Sequence, residues 1–497
     1  SDKAIFLRMI HLRQGKASRL ADLISILITL KSGCFMTLTA FLDPYREEFQ
    51  HYSWNKLRQD VLAGITVAAV ALPLALAFGI ASGATAAVGL VTSIMAAVLM
   101  GLLAGAPYQV AGPTAGLVGV LSILAQQSGI QGIWLAGWLA GIMLVLMGLL
   151  KLGRLIAFLP APVITGFTSG VSAVLIIAQI DNFLGIHTPV AGNSLSKFLG
   201  YFHYPFAPDG HAIILAVLVA AIGIFWPQRW ASRLPASLAG LIAATGFNFF
   251  AAWPVAQIGD IPQVFLLPDR FNLQMVSWQG IAAVFPSAVS IALLCAMESL
   301  LCGTVISNIS GIPLRPNQEL ISQGTGNILM PFFGGIPAVS TLVRSSVMVK
   351  SGGQTRVAGL VKGVTLLLSM FLLAPVISRV PLAALAGVLV VIAWRMNKWE
   401  VIQRYFVRRQ WEALAVYLAT ITLTLVSDLA IGLLAGLLIS MLIYLFECVR
   451  LRERLFQTAQ ISAVCLGQDE TRCQIFQVRG HVFFGAANCV SPILAEL

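Results

Sequence analysis

Fourteen apolar segments, separated by polar loops, run along this chain between residues 61 and 446. Inside a bilayer every backbone N–H and C=O group must be hydrogen-bonded within the protein, and a single chain segment meets this demand as a helix. With 58% apolar and 10% charged residues, the chain is not of the soluble globular class. We therefore predict an all-α polytopic membrane protein with spans at residues 61–80, 86–105, 113–127, 134–150, 162–186, 213–226, 237–253, 281–307, 320–333, 339–350, 358–376, 382–394, 413–427 and 430–446.

A more polar stretch, residues 254–277, divides these spans into two sets of seven. We predict one transport domain at 61–450, with a first repeat at 61–253 and a second at 281–446. An odd number of spans in each set makes the two repeats inverted in the membrane.

The third segment of each set is short and follows a break made of glycine and proline. The breaks lie at residues 107–116 and 334–341. Interrupted segments at corresponding positions of two repeats point to a transporter binding site near the bilayer midplane. The alternative is that glycine and proline are simply common in membrane helices.

The distribution of basic residues predicts the orientation. With a cytoplasmic N-terminus, the inner loops hold most of the lysines and arginines, and the outer loops hold only Lys197, Arg270 and Arg379. This is the asymmetry of the positive-inside rule, so we predict cytoplasmic N- and C-termini. The net charge of +11 is accounted for in the same way, which disfavours nucleic acid as a partner.

Polar side chains within the second repeat indicate the chemistry. Glu298 lies inside an apolar span, and Ser340, Thr341 and Arg344 follow the second break. Polar groups at membrane depth are costly and normally face a cavity or a partner, while a helix N-terminus favours an anion. We predict an anion site with Glu298 as a proton-responsive neighbour. Glu298 could instead be structural, and Arg344 could snorkel or brace two domains.

Other features have simpler readings. We interpret Asn308, Asn317 and Glu319 as caps and turn contacts rather than ligands. The seven cysteines show no metal-ligand spacing, and we find no nucleophile–base set, so we predict no metal, no cofactor and no enzyme activity.

The two ends of the chain differ from the spans. Residues 1–60 are predicted to be a cytoplasmic or interfacial segment, with 23–42 on the membrane surface because Lys31 interrupts it. Residues 458–497 look like the start of a soluble domain, with strands at 463–464, 474–478 and 481–484 and a helix from 486. The chain is expected to end within that domain.

The motifs together resemble the SulP (sulfate permease) family of anion transporters from residue 41 to the end. The second repeat carries Glu298-Ser299-Leu300-Leu301, Asn317-Gln318-Glu319-Leu320, Gln323-Gly324, Gly326-Asn327, Pro331-Phe332-Phe333-Gly334-Gly335-Ile336-Pro337 and Arg344-Ser345. The first carries Asp60-Val61-Leu62-Ala63-Gly64-Ile65-Thr66-Val67, Gly112-Pro113-Thr114-Ala115 and Gly166-Phe167-Thr168-Ser169-Gly170. The run from Val478 to Asn488 resembles the opening of the family's STAS domain.

This resemblance implies fourteen spans in two inverted repeats, split into core and gate domains, and a homodimer in a bacterial inner membrane. It implies a small anionic substrate, moved by alternating access. The substrate site that it implies consists of Phe78, Thr114, Ala115, Glu298, Ala338, Ser340, Thr341 and Arg344.

Departures from the family pattern bear on the substrate. The first span reads Leu72-Pro73-Leu74-Ala75 where sulfate-type members tend to carry Pro-Gln-Gly-Met, and this form looks closer to the bacterial C4-dicarboxylate branch. Cys302 follows Glu298 by one turn, where sodium-driven bicarbonate members have a hydroxyl, so protons are favoured over sodium. The prediction is a proton-coupled symporter of fumarate or succinate. The alternatives are a bicarbonate or sulfate transporter, an anion channel or exchanger, and a nucleobase permease.

Overall fold

The computed structural model describes residues 45, 48–50, 52–153, 160–186, 188, 194–203, 207–231, 234–264, 266–427, 431–443, 446, 460–465 and 474–479. The predicted surface segment at 23–42 and the last predicted strand and helix of the tail, from 481 onwards, lie outside these residues.

Within its described residues, the first repeat contains eight helices of varied length. They are α1 (Trp54–Ala81), α2 (Ala86–Leu103), α3 (Ala115–Leu149), α4 (Ala161–Leu184), α5 (Ser194–Gly200), α6 (Gly210–Phe225), α7 (Gln228–Ala231) and α8 (Ala236–Ala251). A two-residue strand, β1 (Ala111–Gly112), precedes α3.

The second repeat follows a 3-10 turn at Leu273–Met275. Its helices are α9 (Trp278–Ser310), α10 (Pro316–Leu329), α11 (Leu342–Lys350), α12 (Arg356–Leu372), α13 (Ala374–Ile377), α14 (Leu382–Met396), α15 (Trp399–Val407), α16 (Trp411–Val426) and α17 (Ile431–Ile443). The strand β2 (Val339–Ser340) precedes α11, as β1 precedes α3.

Hydroxyl side chains fix where several of the long helices begin. Ser53, Thr85, Thr114 and Ser277 stand at the N-caps of α1, α2, α3 and α9, and each accepts a bond from a backbone N–H in the first turn. Such caps satisfy donors that have no partner inside the helix. The apolar sequence sets where these helices lie, and the capping residues set where they start.

The helices pack into two groups. In the first group, α3 packs against α9 and α10, while α12 packs against α1 and α2. In the second, α4 packs against α14 and α16, while α6 packs against α8 and α14. This division fits the core and gate domains that the family resemblance implies.

The outer surface of the fold is apolar. Phe225, Phe250, Trp278 and Leu372 are between 73% and 88% exposed, which is unfavourable in water and suits contact with lipid. Among the described residues, six helical stretches are long and apolar enough to cross a membrane, one of them Leu382–Val407, which comprises α14 and α15, and four shorter apolar helices accompany them. The fourteen-segment inverted-repeat architecture fits this arrangement.

The spans predicted at 113–127 and 134–150 correspond to two helical parts of α3 that meet at Gly129, whose φ of 65° and ψ of −169° leave the helical region. Only glycine adopts this conformation without strain, so one helical part ends there and the next begins. One detail differs from the predicted spans. The segments predicted from 113 and 339 begin later as helix, at Ala115 and Leu342, because strands precede them.

Beyond α17 the structure describes two strands, β3 (Gln460–Cys465) and β4 (Gln474–Arg479), which pair antiparallel. The strands predicted at 463–464 and 474–478 fall within them. The assignment of this hairpin to a STAS domain stays a prediction.

Candidate functional site

The two glycine- and proline-containing breaks meet in space. β1 and β2 pair antiparallel, with Ala111 opposite Ser340 and Gly112 opposite Val339. The chain leaves each strand into a helix, α3 in one case and α11 in the other. Because the strands are antiparallel, the N-termini of these helices lie close together while the helices run apart. We call α11 and the part of α3 before Gly129 the half-helices.

Thr114 joins the first half-helix to the intramembrane carboxylate. Its Oγ1 accepts a bond from the N–H of Gly116 at 3.0 Å and lies 3.1 and 3.0 Å from Oε1 and Oε2 of Glu298. A Cβ at Gly116 would stand only 2.8 Å from Glu298 Oε2, so glycine there permits the carboxylate to approach the helix end. Glu298 is partly exposed, on the middle of α9.

Arg344 occupies the first turn of the second half-helix. Its Nε donates to Thr341 Oγ1 at 2.9 Å, and Thr341, the N-cap residue, forms no side-chain cap bond. Arg344 is 1% exposed, so it does not snorkel to the surface. Neither Nη1 nor Nη2 has a hydrogen-bond partner among the residues that the structure describes.

This placement of a cation is unfavourable unless an anion shares it. The positive end of a helix dipole repels a guanidinium in its first turn. A buried guanidinium with unused N–H groups also loses its hydration without compensation. An acceptor that carries negative charge would resolve both conflicts, so the arrangement is suited to binding an anion.

Ser340 belongs to a second buried network. Its Oγ accepts a bond from Gln323 Nε2 at 2.8 Å and donates to Glu319 Oε1 at 3.2 Å. Glu319 also accepts from Gln323 at 2.7 Å and from the N–H of Gly105 at 2.8 Å. These bonds of Glu319 are structural but reach beyond the predicted caps and turn contacts, and that Glu319 is not a substrate ligand stays a prediction. Glu319 is 0% exposed and connects α10 to β2 and to the end of α2.

Asn327 holds the segment that enters β2. Its Oδ1 accepts from the N–H of Ala338 at 2.8 Å, and its Nδ2 donates to the carbonyl of Ala338 at 3.0 Å. Thr92 accepts from the N–H of Ile336 at 2.9 Å. These bonds satisfy extended backbone that lies inside the fold, which is tolerated at membrane depth only when buried in protein.

Sequence reasoning also missed a buried lysine. Lys362, on α12, is 0% exposed, and its Nζ donates to the carbonyls of Ala111 at 2.8 Å and Ser93 at 3.2 Å. The signal was present, because a lysine inside an apolar span is expected to carry a function or to have a specific partner.

Of the other predicted site residues, Ala115 is the first residue of α3 and is 6% exposed. Ala338 is fully buried beside Asn327, and Phe78 is 4% exposed within the apolar core. Cys302 packs in an apolar cluster with Tyr108 and Ile306. The described contacts thus bring together Thr114 with Glu298, and Thr341 with Arg344, around the paired strands. A role in substrate binding stays a prediction for all eight predicted residues.

Comparison with known proteins decides the family. A sequence profile of the sulfate permease family matches residues 57–419, which contain both half-helices. The chain belongs to the sulfate permease family. This family consists of transporters, in agreement with a multi-pass membrane protein.

Family relatives are similar over most of their length. YvdB of Bacillus subtilis (strain 168), which carries the provisional name of a sulfate transporter, is 33% identical over 90% of this chain and 84% of its own. The bicarbonate transporter BicA of Picosynechococcus sp. (strain PCC 7002) is 28% identical over 88% of this chain and 81% of its own.

Solved structures of the family share the fold. The transmembrane domain of a cyanobacterial BicA superposes with a TM-score of 0.69 at 26% identity, covering 77% of this chain and 98% of that domain. Murine Slc26a9, an anion transporter solved in the inward-facing state, gives a TM-score of 0.74 at 17% identity over 86% of this chain and 73% of its own. The second likeness concerns the fold alone.

Proposed function

We propose that this chain is a proton-coupled secondary transporter of a small oxyanion, bicarbonate or sulfate, that works by alternating access. The observation that carries the proposal is the Arg344 guanidinium, buried at the N-terminus of a half-helix with two unused nitrogen donors. A planar guanidinium with parallel N–H groups matches the paired oxygens of an oxyanion.

Three positive features converge on this anion. They are the guanidinium and the two half-helix N-termini, each with backbone N–H groups that lack partners inside its own helix. Gly112 lies so close to Arg344 that a Cβ there would be 2.6 Å from Nη1. The guanidinium therefore rests against β1, between the two half-helices.

Glu298 supplies the proposed coupling. It is the carboxylate bonded to the N-cap of α3, and it lies close enough to Arg344 for their charges to interact. When Glu298 is ionised it neutralises part of the positive field, and when it takes a proton that field is free for the substrate. Anion and proton would accordingly enter together.

The names of the relatives support an inorganic oxyanion over the predicted dicarboxylate. YvdB and BicA are named for sulfate and bicarbonate. A C4-dicarboxylate would use the same guanidinium. Fumarate and succinate are therefore included in the test, and they are expected to bind more weakly than the two inorganic anions. A nucleobase is disfavoured because a neutral base does not need a cation in the site.

Calorimetric titration of the purified protein is the experiment that tests the substrate. Sulfate, bicarbonate, fumarate, succinate and chloride would be titrated into wild type, Arg344→Lys and the control Arg379→Gln. Arg379 stacks on Phe249, away from the paired strands, and its substitution should leave affinity unchanged. Arg344→Lys should weaken binding at least about tenfold, because one ammonium replaces two parallel donors.

Unchanged affinity in folded Arg344→Lys would contradict the proposed site. Tighter binding of fumarate than of sulfate and bicarbonate would restore the dicarboxylate prediction. The homodimer, the bacterial inner membrane and the cytoplasmic termini are further proposals that follow the family resemblance and the charge distribution.

A further inference from the structure

Lys362 is attached to the central strand pair from the side of α12. Its two described bonds go to backbone carbonyls, that of Ala111 in β1 and that of Ser93 in α2. Ala111 is the register partner of Ser340, and Ser340 bonds Glu319. Lys362 and Glu319 therefore support the same residue pair of the two strands. Lys362 bonds Ala111 of β1, and Glu319 bonds Ser340 of β2.

Three ionisable side chains contact successive positions of β1 and of the turn after it. Lys362 contacts Ala111, Arg344 lies against Gly112, and Glu298 bonds Thr114. With Glu319, which bonds Ser340 of the partner strand, the cluster contains two carboxylates and two cations, whose formal charges cancel. Lys362 also lies close enough to Arg344 for their like charges to interact.

This balance depends on Lys362. Buried charges are stable only when opposite charges or hydrogen bonds compensate them. When Glu298 carries a proton, as proposed for anion entry, Arg344 and Lys362 together outweigh Glu319, and loss of the ammonium would remove this excess positive charge. No described residue forms an ion pair with Lys362 within 4.0 Å, so its charge acts on the cluster as a whole.

We propose that Lys362 is a positioning and specificity-determining residue of the anion site, which holds β1 against α2 through two backbone carbonyls and supplies the second positive charge that lets the site accept a divalent anion. The inference rests on the proposed function, since it concerns the same site. It goes beyond that function by assigning the preference for substrate charge to a residue that does not touch the substrate.

A lysine that only holds β1 through its hydrogen bonds, without an electrostatic effect on the anion, would behave differently. Loss of the two bonds to β1 would weaken all anions equally, whatever their charge. Loss of the ammonium would weaken a dianion more than a monoanion. Coulomb coupling across roughly 10 Å at an effective dielectric of about 20 corresponds to on the order of tenfold in affinity per unit of anion charge.

The test measures the ratio of sulfate to bicarbonate affinity by calorimetry on the full purified chain. Lys362→Gln retains two N–H donors for the carbonyls but has no charge, and Lys362→Arg retains both functions. Ser369→Ala is the matched control on α12, because its hydroxyl bonds only Thr365 of the same helix. Glu319→Gln alters the balance in the opposite direction and tests the same claim where Lys362→Gln does not fold.

We expect Lys362→Gln to lower sulfate affinity about tenfold more than bicarbonate affinity, and Lys362→Arg and Ser369→Ala to keep the wild-type ratio. Glu319→Gln should shift the ratio toward sulfate, and the double variant should return it to wild type. An equal loss for both anions, or a ratio that does not move in any variant, overturns the inference alone. A wild-type protein that binds neither anion overturns the proposed function as well.

Discussion

At the scale of single residues, the position of Arg344 is the most informative. A first-turn arginine is disfavoured by the helix dipole, and this one is 1% exposed. Thr341 bonds the arginine instead of capping α11, so the helix end and the guanidinium are both left with unused donors. This local arrangement lowers the stability of the fold, and it leaves donors available to bind an anion.

Gly112→Ala tests how closely this guanidinium is positioned. The new Cβ would lie 2.6 Å from Nη1 and 3.2 Å from Cζ of Arg344. Because the end of an arginine side chain can move, we expect the melting temperature to change little while anion affinity falls at least about tenfold. Gly101→Ala, at a buried position with nothing within 4 Å of the added Cβ, is the control that should bind normally. Normal anion affinity in Gly112→Ala would show that Arg344 does not bind the anion.

Glu298→Gln tests the coupling. Glutamine keeps the shape and can still bond Thr114, but it cannot take up or release a proton. Net uptake driven by an acidic exterior should fall to the level of protein-free liposomes, while exchange of internal for external anion, which needs no net proton movement, should continue. Wild-type net uptake that still follows the pH gradient in this variant would exclude Glu298 as the proton carrier.

Sequence alone found only some of these residues. Glu298, Ser340, Thr341 and Arg344 could be identified because polar residues in apolar spans are conspicuous. The long-range bonds of Glu319 could not be foreseen, because its contact with Gly105 links residues 214 positions apart. Lys362 was overlooked although it is polar within a span, since its partners are backbone carbonyls that no side-chain pattern reveals.

At the scale of elements, the half-helices depend on how β1 and β2 are held. Gln323, Asn327 and Ser345 bond Ser340, Ala338 and Val110, respectively, so side chains of the neighbouring helices satisfy the strands. Two-residue strands have almost no intrinsic stability, because isolated pairs of strands are marginal even when longer. The position of both helix ends therefore rests on buried polar side chains.

Ser340→Ala should separate this support from binding itself. Removing the hydroxyl deprives the buried Gln323 and Glu319 of a partner, which should lower the free energy of unfolding by about 1–3 kcal/mol. Anion affinity should weaken by a smaller amount, about 0.5–1.5 kcal/mol. The control is Ser290→Ala, whose hydroxyl bonds only Pro286 in its own helix. Thermal melts and titrations would check both values, and abolished binding with unchanged stability would make Ser340 a direct ligand instead.

The elements themselves were largely predictable. Apolar length located the spans, and glycine with proline located the two interrupted segments. The strand pairing was not predictable, because Ala111 and Ser340 meet only when two distant segments cross. The separation of the spans at 113–127 and 134–150 was predictable, since Gly129 lies between them and leaves the helical region.

At the scale of the whole molecule, the two helix groups suit a moving site. The half-helices and α9 belong to one group, and α4, α14 and α16 belong to the other. The ionisable cluster lies entirely within the first group, so displacement of that group against the second would carry the site with its charges intact. This division is the structural basis that we propose for alternating access.

The tail should affect rate rather than selectivity. The hairpin β3–β4 follows the last described membrane helix, and the ionisable cluster draws no residue from it. Removing residues 455–497 should therefore change the rate of transport or the yield of protein, while the order of preference among anions stays the same. Competition assays on the shortened protein in liposomes would check this, and a reordered preference would place part of the pathway in the tail.

Uphill accumulation in sealed proteoliposomes tests the central claim most directly. Labelled sulfate would be supplied at equal concentration on both sides, with the exterior made more acidic than the interior. We expect the anion to accumulate inside, and a protonophore to abolish the accumulation. An internal concentration that never exceeds the external one would contradict proton-coupled transport and would indicate a channel.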